Sequence, residues 1–294
     1  MVRVSGPRPV CYLNGNYLPL EAAKVSPFDR AFLFGDAVYE VVPVYAARPF
    51  RLRQHLDRLN RSLDAIRMPP PLAHGDWAHL CQELISQNSA FDGILYMQVT
   101  RGAEFGRNHA WPDGLKPTLF AYFTELDPLP VALIDTGVSA ITAKEIRWER
   151  RDIKSTALLA NILLKKLAAD AGAFETVLLE RGELTEGSST TVHIVREGTI
   201  YTPPNSQHIL PGTTRDVVTE LADLLSIPNI SSRIAESALR EADEIWLAFS
   251  SRGVLPVTKL DGAAVGNGAP GPVFKRMHIA FENYIRELGK TPAL

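Results

Sequence analysis

Lys154 is the residue whose surroundings could most readily support covalent chemistry. It lies in the segment Arg-Arg-Asp-Ile-Lys-Ser-Thr and follows Arg147, Arg150 and Arg151. Nearby positive charges disfavour a protonated amine, and so does the positive end of a helix, which we predict to begin at Ser155. A lysine in such a setting could act as a nucleophile. Most lysines are solvated surface charges, so the spacing alone leaves this interpretation a hypothesis.

A second group of residues has the types that bind phosphate. Gly212, Thr213 and Thr214 stand where a loop enters a predicted helix, and Ser250 and Ser251 close a predicted strand. Free backbone N–H groups at a helix start, together with hydroxyls, form a natural anion site. Threonine is equally common as a helix cap, and serine as a turn residue. Capping and phosphate binding therefore both remain open.

The remaining candidates are an isolated carboxylate and several donors for a substrate anion. Glu186 lies in a polar break between two predicted strands, where it could keep a cofactor's ring nitrogen protonated or simply sit in a solvated turn. Tyr39, Arg107 and His109 offer phenol, guanidinium and imidazole donors for a carboxylate. Arg107 could instead be a surface cation, and Arg58 could be only the wet side of an amphipathic helix.

The elements that carry these residues begin with a hairpin around Asn14 and Gly15, whose dipeptide suits a tight turn. In the strand that follows, Tyr39 and Val41 share one face, because side chains alternate along a strand. Leucines at helical spacing then predict a helix that stops before three prolines. The predicted elements of this half are a hairpin at 10–20, a strand at 36–45, helices at 52–66 and 75–87, and strands at 93–102 and 118–126.

The second half follows a short proline-containing linker and again mixes strands with helices. We predict strands at 138–148, 176–180, 189–195, 199–203, 244–251 and 254–260, and helices at 155–171, from 214, at 235–242 and at 273–288. A chain of this length is better divided into two domains than packed as one. The expected division is a small domain at 1–127, a linker at 128–130 and a large domain at 131–294.

Composition excludes several classes of protein. With 31 basic and 33 acidic residues in 294, the net charge of −2 provides no positive field for nucleic acid or an anionic membrane. Hydrophobic residues at 46% and charged residues at 22% are ordinary for a globular protein. The two cysteines form no metal-binding or disulfide pattern, and no signal peptide or membrane span is evident. We therefore expect a cytoplasmic protein without nucleic-acid or membrane partners.

In order and spacing, seven segments of the chain resemble the fold-type IV enzymes that use pyridoxal 5'-phosphate (PLP), and among these the D-amino acid transaminases. The resemblance implies an α/β fold (α+β, two domains), with a smaller N-terminal and a larger C-terminal α/β domain and the cofactor between them. It covers residues from about 10 to 285. The segments are RAFLFGDAVYEVV, HLDRLNRSL, YMQVTRG, RRDIKST, LTEGSSTTV, ILPGTTRDVV and SSRGVLPV.

The same resemblance assigns roles to individual positions. It implies that Lys154 binds PLP as a Schiff base and acts as the proton carrier, and that Glu186 is the partner of the pyridine nitrogen. It implies a homodimer in which a carboxylate trap selects amino acids. The residues expected to bind the cofactor are Arg58, Lys154, Glu186, Ser189, Leu210, Gly212, Thr213, Thr214, Ser250 and Ser251. Those expected to bind substrate are Tyr39, Val41, Arg107 and His109, with the last two reaching in from the partner subunit.

Several positions depart from the family's pattern. The loop that leads to Arg107 is one residue longer, and Thr191 and Ala157 each replace an asparagine that is often found there. Arg252 adds a charge beside the serines expected to bind phosphate. These departures concern the substrate rather than the cofactor.

Other functions remain open beside D-amino acid transamination. They are a branched-chain L-amino acid transaminase, an R-selective amine transaminase, an aminodeoxychorismate lyase, and a non-catalytic PLP-binding protein on an inherited fold. Substrate tests with D-alanine, L-leucine, (R)-1-phenylethylamine and aminodeoxychorismate separate the enzymes, and a cofactor absorption band that shifts on amine addition excludes the last. None of these functions is expected to need a metal ion.

Overall fold

The chain, seen in a computed structural model that describes residues 4–290, divides into two compact units with a sheet in each. The N-terminal unit comprises residues 4–127, the segment Ile153–Leu158 and residues 288–290, and the C-terminal unit comprises Pro128–Asp152 and Leu159–Glu287. Helices pack against strands in both units. The predicted α/β class is therefore confirmed, and the segment around Lys154 belongs to the N-terminal unit.

The N-terminal sheet is antiparallel throughout, with strand order β2-β1-β6-β5-β3-β4. Its first two strands form the predicted hairpin, in which Asn14 and Gly15 take the positive φ angles of 49° and 95° that the turn requires. The strands are β1 (Val4–Leu13), β2 (Asn16–Pro19), β3 (Ala37–Tyr45), β4 (Arg48–Pro49), β5 (Gly93–Thr100) and β6 (Thr118–Leu126).

Helices of this unit cover the sheet with apolar side chains. The 3-10 turn Leu20–Ala22 is followed by α1 (Arg30–Phe34), α2 (Leu52–Ala65) and α3 (His74–Gln87). On the inner face of α2, Leu56, Leu59 and Leu63 are buried, as are Trp77 and Leu84 of α3. The alternation predicted for β3 is also present, because Glu40 is buried while Tyr39 is only half-buried.

The C-terminal sheet is mixed, with strand order β12-β11-β10-β13-β14-β7-β8-β9 and β15 paired to β14. The pairs β11/β12, β14/β7 and β7/β8 are parallel and the others antiparallel. The strands are β7 (Val138–Lys144), β8 (Glu175–Glu180), β9 (Glu183–Gly187), β10 (Thr191–Arg196), β11 (Thr199–Thr202), β12 (Asn229–Ser231), β13 (Glu244–Phe249), β14 (Gly253–Leu260) and β15 (Ala263–Ala264).

The helices of the second half are α4 (Val131–Asp135), α5 (Leu159–Asp170), α6 (Thr213–Leu224), α7 (Glu236–Arg240) and α8 (Pro272–Lys290). The prediction that a helix begins at Ser155 is wrong, since α5 starts at Leu159. Ser155 instead forms an isolated antiparallel bridge with Val38, and the Thr156 N–H donates to the carbonyl of Ala37. Lys154 therefore lies in an extended segment beside β3, without a helix end to disfavour its charge. Across residues 4–290, no helix has both the length and the apolar character of a membrane span.

Candidate active site

Backbone and ring contacts hold Lys154 against β3. The Tyr39 N–H donates to the Lys154 carbonyl at 2.9 Å, and the Lys154 N–H donates to Ser62 Oγ at 3.2 Å. The Lys154 amine lies 4.3 Å from the centroid of the Tyr39 ring, which in turn stacks on Tyr96. Among the described residues, no carboxylate forms an ion pair with Lys154. The structure thus brings together Lys154 and Tyr39, two residues selected from the sequence for different roles.

The three arginines before Lys154 do not supply the unbalanced positive charge expected from their spacing. Arg147 pairs with Glu145 and Glu186, and Arg150 pairs with Asp152. Arg151 lies 2.8 Å from a Glu145 oxygen and 2.9 Å from a Glu180 oxygen. Because each guanidinium faces at least one carboxylate, the electrostatic argument for a reactive Lys154 is wrong. What remains is the placement of Lys154 on an aromatic ring.

Arg58 is buried and held by a carboxylate that the sequence did not single out. Its Nε and Nη2 donate to the two oxygens of Glu40 at 2.7 and 2.8 Å, and Nδ1 of buried His55 lies 2.8 Å from Glu40 Oε2. Burial alone would raise the pKa of Glu40, but Arg58 and His55 hold the pKa well below its usual range. Arg58 is therefore not on the wet side of α2. The available signal was Glu40 itself, a charged residue on the buried face of a strand.

Arg107 and His109 are both exposed, and each lies near the ring of Phe34. The Arg107 guanidinium is 5.1 Å from the Phe34 ring centroid, and the His109 ring is 5.4 Å from it. Buried Arg30 fixes this loop by donating to the carbonyls of Asn108 at 2.7 Å and His109 at 3.0 Å. Within residues 4–290 of one chain, neither Arg107 nor His109 forms a hydrogen bond, ion pair or ring contact with Tyr39. Val41 extends the half-buried face of β3 beyond Tyr39.

Glu186 lies on strand β9, so the prediction that it stands in a break between strands is wrong. Its side chain is nearly fully buried, its Oε2 accepts from the Leu210 N–H at 3.3 Å, and its Oε1 lies 2.8 Å from Arg147 Nη1. Burial raises the pKa of Glu186 to about 7, against the opposing effect of Arg147. A carboxylate oxygen has two lone pairs, so Oε1 can pair with Arg147 and still accept a further hydrogen bond.

Ser189 is anchored by a residue that sequence reasoning missed. Its Oγ donates to the carboxylate of fully buried Glu175 at 3.0 Å, and Ser188 Oγ donates to the same carboxylate. Asn161 on α5 donates to the Ser188 carbonyl at 2.7 Å. A glutamate at the start of an apolar strand pattern was the only sequence signal for Glu175. These contacts tie the turn after β9 to β8 and to α5.

Gly212, Thr213, Thr214 and Ser250 come together at the N-terminus of α6. Gly212 is the N-cap residue and has no side chain of its own to cap the helix, while Thr213 Oγ1 lies 3.4 Å from Ser250 Oγ. A Cβ atom at Gly212 would lie 2.7 Å from Thr191 Oγ1, so the close approach of this strand favours glycine. Both threonines are buried, and Ser251 follows Ser250 in the turn after β13. The arrangement combines helix-end N–H groups with hydroxyls, as a phosphate site requires.

PLP, the cofactor implied by the resemblance, needs a primary amine, a carboxylate that can accept from its ring nitrogen, and a phosphate cradle. Lys154 provides an amine without a carboxylate partner among the described residues, and Glu186 Oε1 is a buried acceptor with capacity left. The N-terminus of α6 provides the helix end and hydroxyls. The residues present therefore fit PLP, each considered within its own unit. No cluster of metal-ligating side chains occurs among residues 4–290.

Comparison with known proteins identifies relatives along nearly the whole chain. The model of the family described as amino-transferase class IV matches residues 37–260. A D-alanine aminotransferase of Staphylococcus aureus (strain MSSA476) is 37% identical over 276 residues, which cover 93% of this chain and 97% of the relative. A D-alanine aminotransferase of Bacillus licheniformis is 37% identical over 279 residues, covering 95% and 98%.

A solved structure gives the same fold at lower identity. The branched-chain amino acid aminotransferase of Escherichia coli superposes with a TM-score of 0.88 and 26% identity over 95% of both chains. The two-sheet architecture is therefore shared with an enzyme that is named for branched-chain amino acids.

Proposed function

The chain belongs to the class IV aminotransferases, and from this premise we propose that it moves an amino group between a D-amino acid, such as D-alanine, and a 2-oxo acid, such as 2-oxoglutarate. The observation that carries the proposal is the 37% identity to D-alanine aminotransferases over almost the full length of both proteins. The branched-chain enzyme that shares the fold is only 26% identical. A likeness of sequence over the whole chain favours D-amino acids as substrates.

We propose PLP as the cofactor. When bound, PLP supplies an electrophilic carbonyl and a conjugated ring that withdraws electrons from the substrate's α-carbon. Lys154 would hold the cofactor by its carbonyl carbon, and its Nζ, once released, would carry the proton at the substrate's α-carbon. Glu186 would hold a proton on the ring nitrogen. Support comes from the Lys154 amine, which has no carboxylate partner among the described residues, and from the accepting capacity of Glu186 Oε1.

The phosphate group would bind at the N-terminus of α6, where Thr213, Thr214, Ser250 and Ser251 provide hydroxyls. Support comes from the start of α6, where the N-cap residue Gly212 has no side chain of its own to cap the helix, and from the contact between Thr213 and Ser250. Arg58 would add a positive charge. Its guanidinium is fixed by Glu40, so it is preorganised for any anion that it meets.

The substrate carboxylate would meet Tyr39 together with Arg107 and His109 of a second copy of the chain, in a homodimer. Two observations support this arrangement. Neither Arg107 nor His109 contacts Tyr39 within one chain's described residues. Around their loop Phe32 and Phe105 are 77% and 100% exposed, an apolar surface of the kind that interfaces cover. Measuring the mass of the protein in solution by light scattering tests the dimer.

A panel of amino donors tests the proposed function. We expect purified protein loaded with PLP to convert D-alanine and 2-oxoglutarate to pyruvate and glutamate, and to use L-leucine and (R)-1-phenylethylamine far more slowly. Lys154→Ala should keep the fold and lose turnover by several orders of magnitude, because nucleophile and proton carrier are removed together. Faster conversion of L-leucine than of D-alanine would contradict the proposal and favour the branched-chain activity.

Replacing Arg107 tests the carboxylate trap. Loss of a charge-assisted bond to the substrate should lower kcat/KM for D-amino acids by about 10- to 150-fold, which corresponds to about 1.5–3 kcal/mol. For (R)-1-phenylethylamine, which lacks a carboxylate, Arg107→Leu should leave the slow amine reaction unchanged or faster. Steady-state kinetics on both donors provide the measurement.

Arg61→Leu is the matched control, since Arg61 is an exposed arginine of α2 in the same unit. It should change neither donor's kcat/KM. Equal losses for D-alanine and the amine in Arg107→Leu would mean that Arg107 supports the loop or the dimer instead of binding the carboxylate.

A further inference from the structure

Glu186 is part of a buried cluster of alternating charges in the C-terminal unit. Arg147 lies between two carboxylates, with its Nη1 2.8 Å from Glu186 Oε1 and its Nε and Nη2 donating to Glu145 at 2.9 and 2.6 Å. On its far side, Glu145 meets Arg151 Nη1 at 2.8 Å and accepts from Thr185 Oγ1 at 3.2 Å. The cluster thus alternates as carboxylate, guanidinium, carboxylate, guanidinium.

The two carboxylates of this cluster behave differently. Burial would raise the pKa of Glu145, but hydrogen bonds and charge from Arg147, together with Arg151, lower it to about 2. Burial raises the pKa of Glu186 to about 7 because only one arginine faces it, and that arginine shares its charge with Glu145. Further from Glu186, Arg151 also meets Glu180 and His208. Burial therefore favours the neutral form of Glu186, and a single guanidinium, that of Arg147, favours the ionised form.

Arg147 binds Glu145 through two guanidinium nitrogens, and this bidentate contact fixes the direction of the third nitrogen, Nη1. A guanidinium is planar and rigid, so two parallel bonds to one carboxylate leave Nη1 with little freedom to turn away from Glu186. The side chain of Arg147 is 7% exposed, which limits screening by solvent. A lysine would supply the charge but not the geometry.

We propose that Arg147 is a positioning residue that keeps Glu186 ionised and oriented, so that this carboxylate can hold the ring nitrogen of the cofactor protonated. The inference rests on the proposed function, in which Glu186 faces that nitrogen. A neutral Glu186 would itself donate a proton and could not stabilise a positively charged ring nitrogen. Arg147 acts through Glu186 and need not touch the cofactor.

The test follows the ionisation of Glu186 directly in the full-length, cofactor-free protein. Glutamate labelled with carbon-13 at the side-chain carboxyl is incorporated, the Glu186 signal is assigned by its loss in Glu186→Gln, and its chemical shift is recorded against pH. In Arg147→Gln we expect the titration midpoint of Glu186 to rise by at least about 1 pH unit. Arg147→Lys should retain part of the charge effect and so give a smaller rise.

Two further variants sharpen the result. Arg150→Gln is the matched control, because Arg150 is in the same segment but pairs with Asp152 and is 43% exposed, so the midpoint should not move. Glu145→Gln removes the carboxylate that competes for Arg147, so the midpoint of Glu186 should fall. Thermal unfolding checks that each variant is folded. An unmoved midpoint in whichever of Arg147→Gln and Glu145→Gln is folded, or shifts of the same sign in both, would overturn the proposal.

The holoenzyme gives an independent result. If Arg147 acts through Glu186, Arg147→Gln and Glu186→Gln should lower kcat to a similar extent, and the double variant should be little worse than either single variant. Additive losses of kcat would contradict a shared role. The carboxyl titration does not depend on substrate, so inactivity toward D-alanine would remove the proposed function without touching the link between Arg147 and Glu186.

Discussion

Several charged side chains in this protein are buried and interact with other ionisable side chains instead of with solvent. Arg58, expected to meet a phosphate, is fixed by Glu40, and Glu40 also accepts from His55. All three side chains are almost completely buried. Burying a charged side chain costs solvation free energy, which the attraction of its oppositely charged partner offsets. Removing one partner therefore leaves a buried charge without that compensation. Glu40, which orients Arg58, should therefore contribute to the stability of the fold as well as to cofactor binding.

Glu40→Gln tests this dependence. Removing the carboxylate charge leaves Arg58 buried without compensation, and we expect the free energy of unfolding to fall by about 3–5 kcal/mol. PLP affinity should fall as well, since Arg58 loses its fixed orientation. Urea denaturation and cofactor titration provide the measurements. Asp170→Asn, which breaks an exposed ion pair with Lys166 on α5, is the control and should cost no more than about 0.5 kcal/mol.

At the scale of elements, the loop between β5 and β6 is positioned by contacts near its first residues as well as by contacts further along it. Gly102 begins the loop with a φ of 100°, and a Cβ there would lie 1.9 Å from the carbonyl oxygen of Lys116. The Arg30 N–H also donates to the Gly102 carbonyl at 2.9 Å. This close crossing of backbones closes the loop that carries Arg107 and His109.

Gly102→Ala should therefore disturb both stability and substrate use. Strain at positive φ together with the backbone clash should cost about 2–4 kcal/mol. Gly15→Ala is the control, because Gly15 has a similar φ of 95° but an added Cβ meets no atom within 4 Å, and we expect its free energy of unfolding to fall by about 1 kcal/mol. Thermal unfolding measures both losses. Equal losses would show that φ strain alone explains them and that the crossing with Lys116 can relax.

For the whole molecule, the pH range of stability depends on buried groups whose pKa differs between the folded and the unfolded chain. His193 on β10 is fully buried, its Nδ1 is 2.6 Å from Thr202 Oγ1, and its Nε2 has no hydrogen-bond partner within residues 4–290. Burial, with a smaller effect from Arg215, lowers the pKa of His193 to about 3. The unfolded chain takes up this proton near pH 6.5, while the folded chain does not until much lower pH. Stability is therefore lost as pH falls through this range.

His193→Phe should remove that loss. At about pH 5 the wild-type protein should have lost roughly 2 kcal/mol of unfolding free energy from His193 relative to about pH 7.5, and the variant should not show this part of the decline. The loss of the bond to Thr202 lowers the variant's stability equally at both pH values, so the difference between them is the informative quantity. His109→Phe, at an exposed site in the loop between β5 and β6, should keep the wild-type dependence. Parallel pH profiles of unfolding free energy in wild type and His193→Phe would contradict a neutral, buried His193.

Local patterns determined much of this protein from the sequence by itself. The hairpin at Asn14 and Gly15, helix α2, the alternation of faces along β3 and the helix that starts near Thr214 all follow from turn chemistry and periodicity, which act between residues a few positions apart. The order and spacing of the longer segments also identified the family, which the comparisons confirm. The residue assignments that came with it, including Lys154 and Glu186, remain predictions.

Only the tertiary structure decided which charges meet. Three arginines precede Lys154 in the sequence, yet in the folded chain each of them forms an ion pair with a carboxylate. Glu145 and Glu186 are two of these carboxylates. The Glu175 carboxylate likewise accepts hydrogen bonds from the two serines after β9, and helix α5 begins four residues after the predicted cap. Ion pairs and bridges between distant segments depend on which strands become neighbours, and burial then changes the free energy of a charge by more than its neighbours in sequence can. Neither quantity is encoded in local spacing.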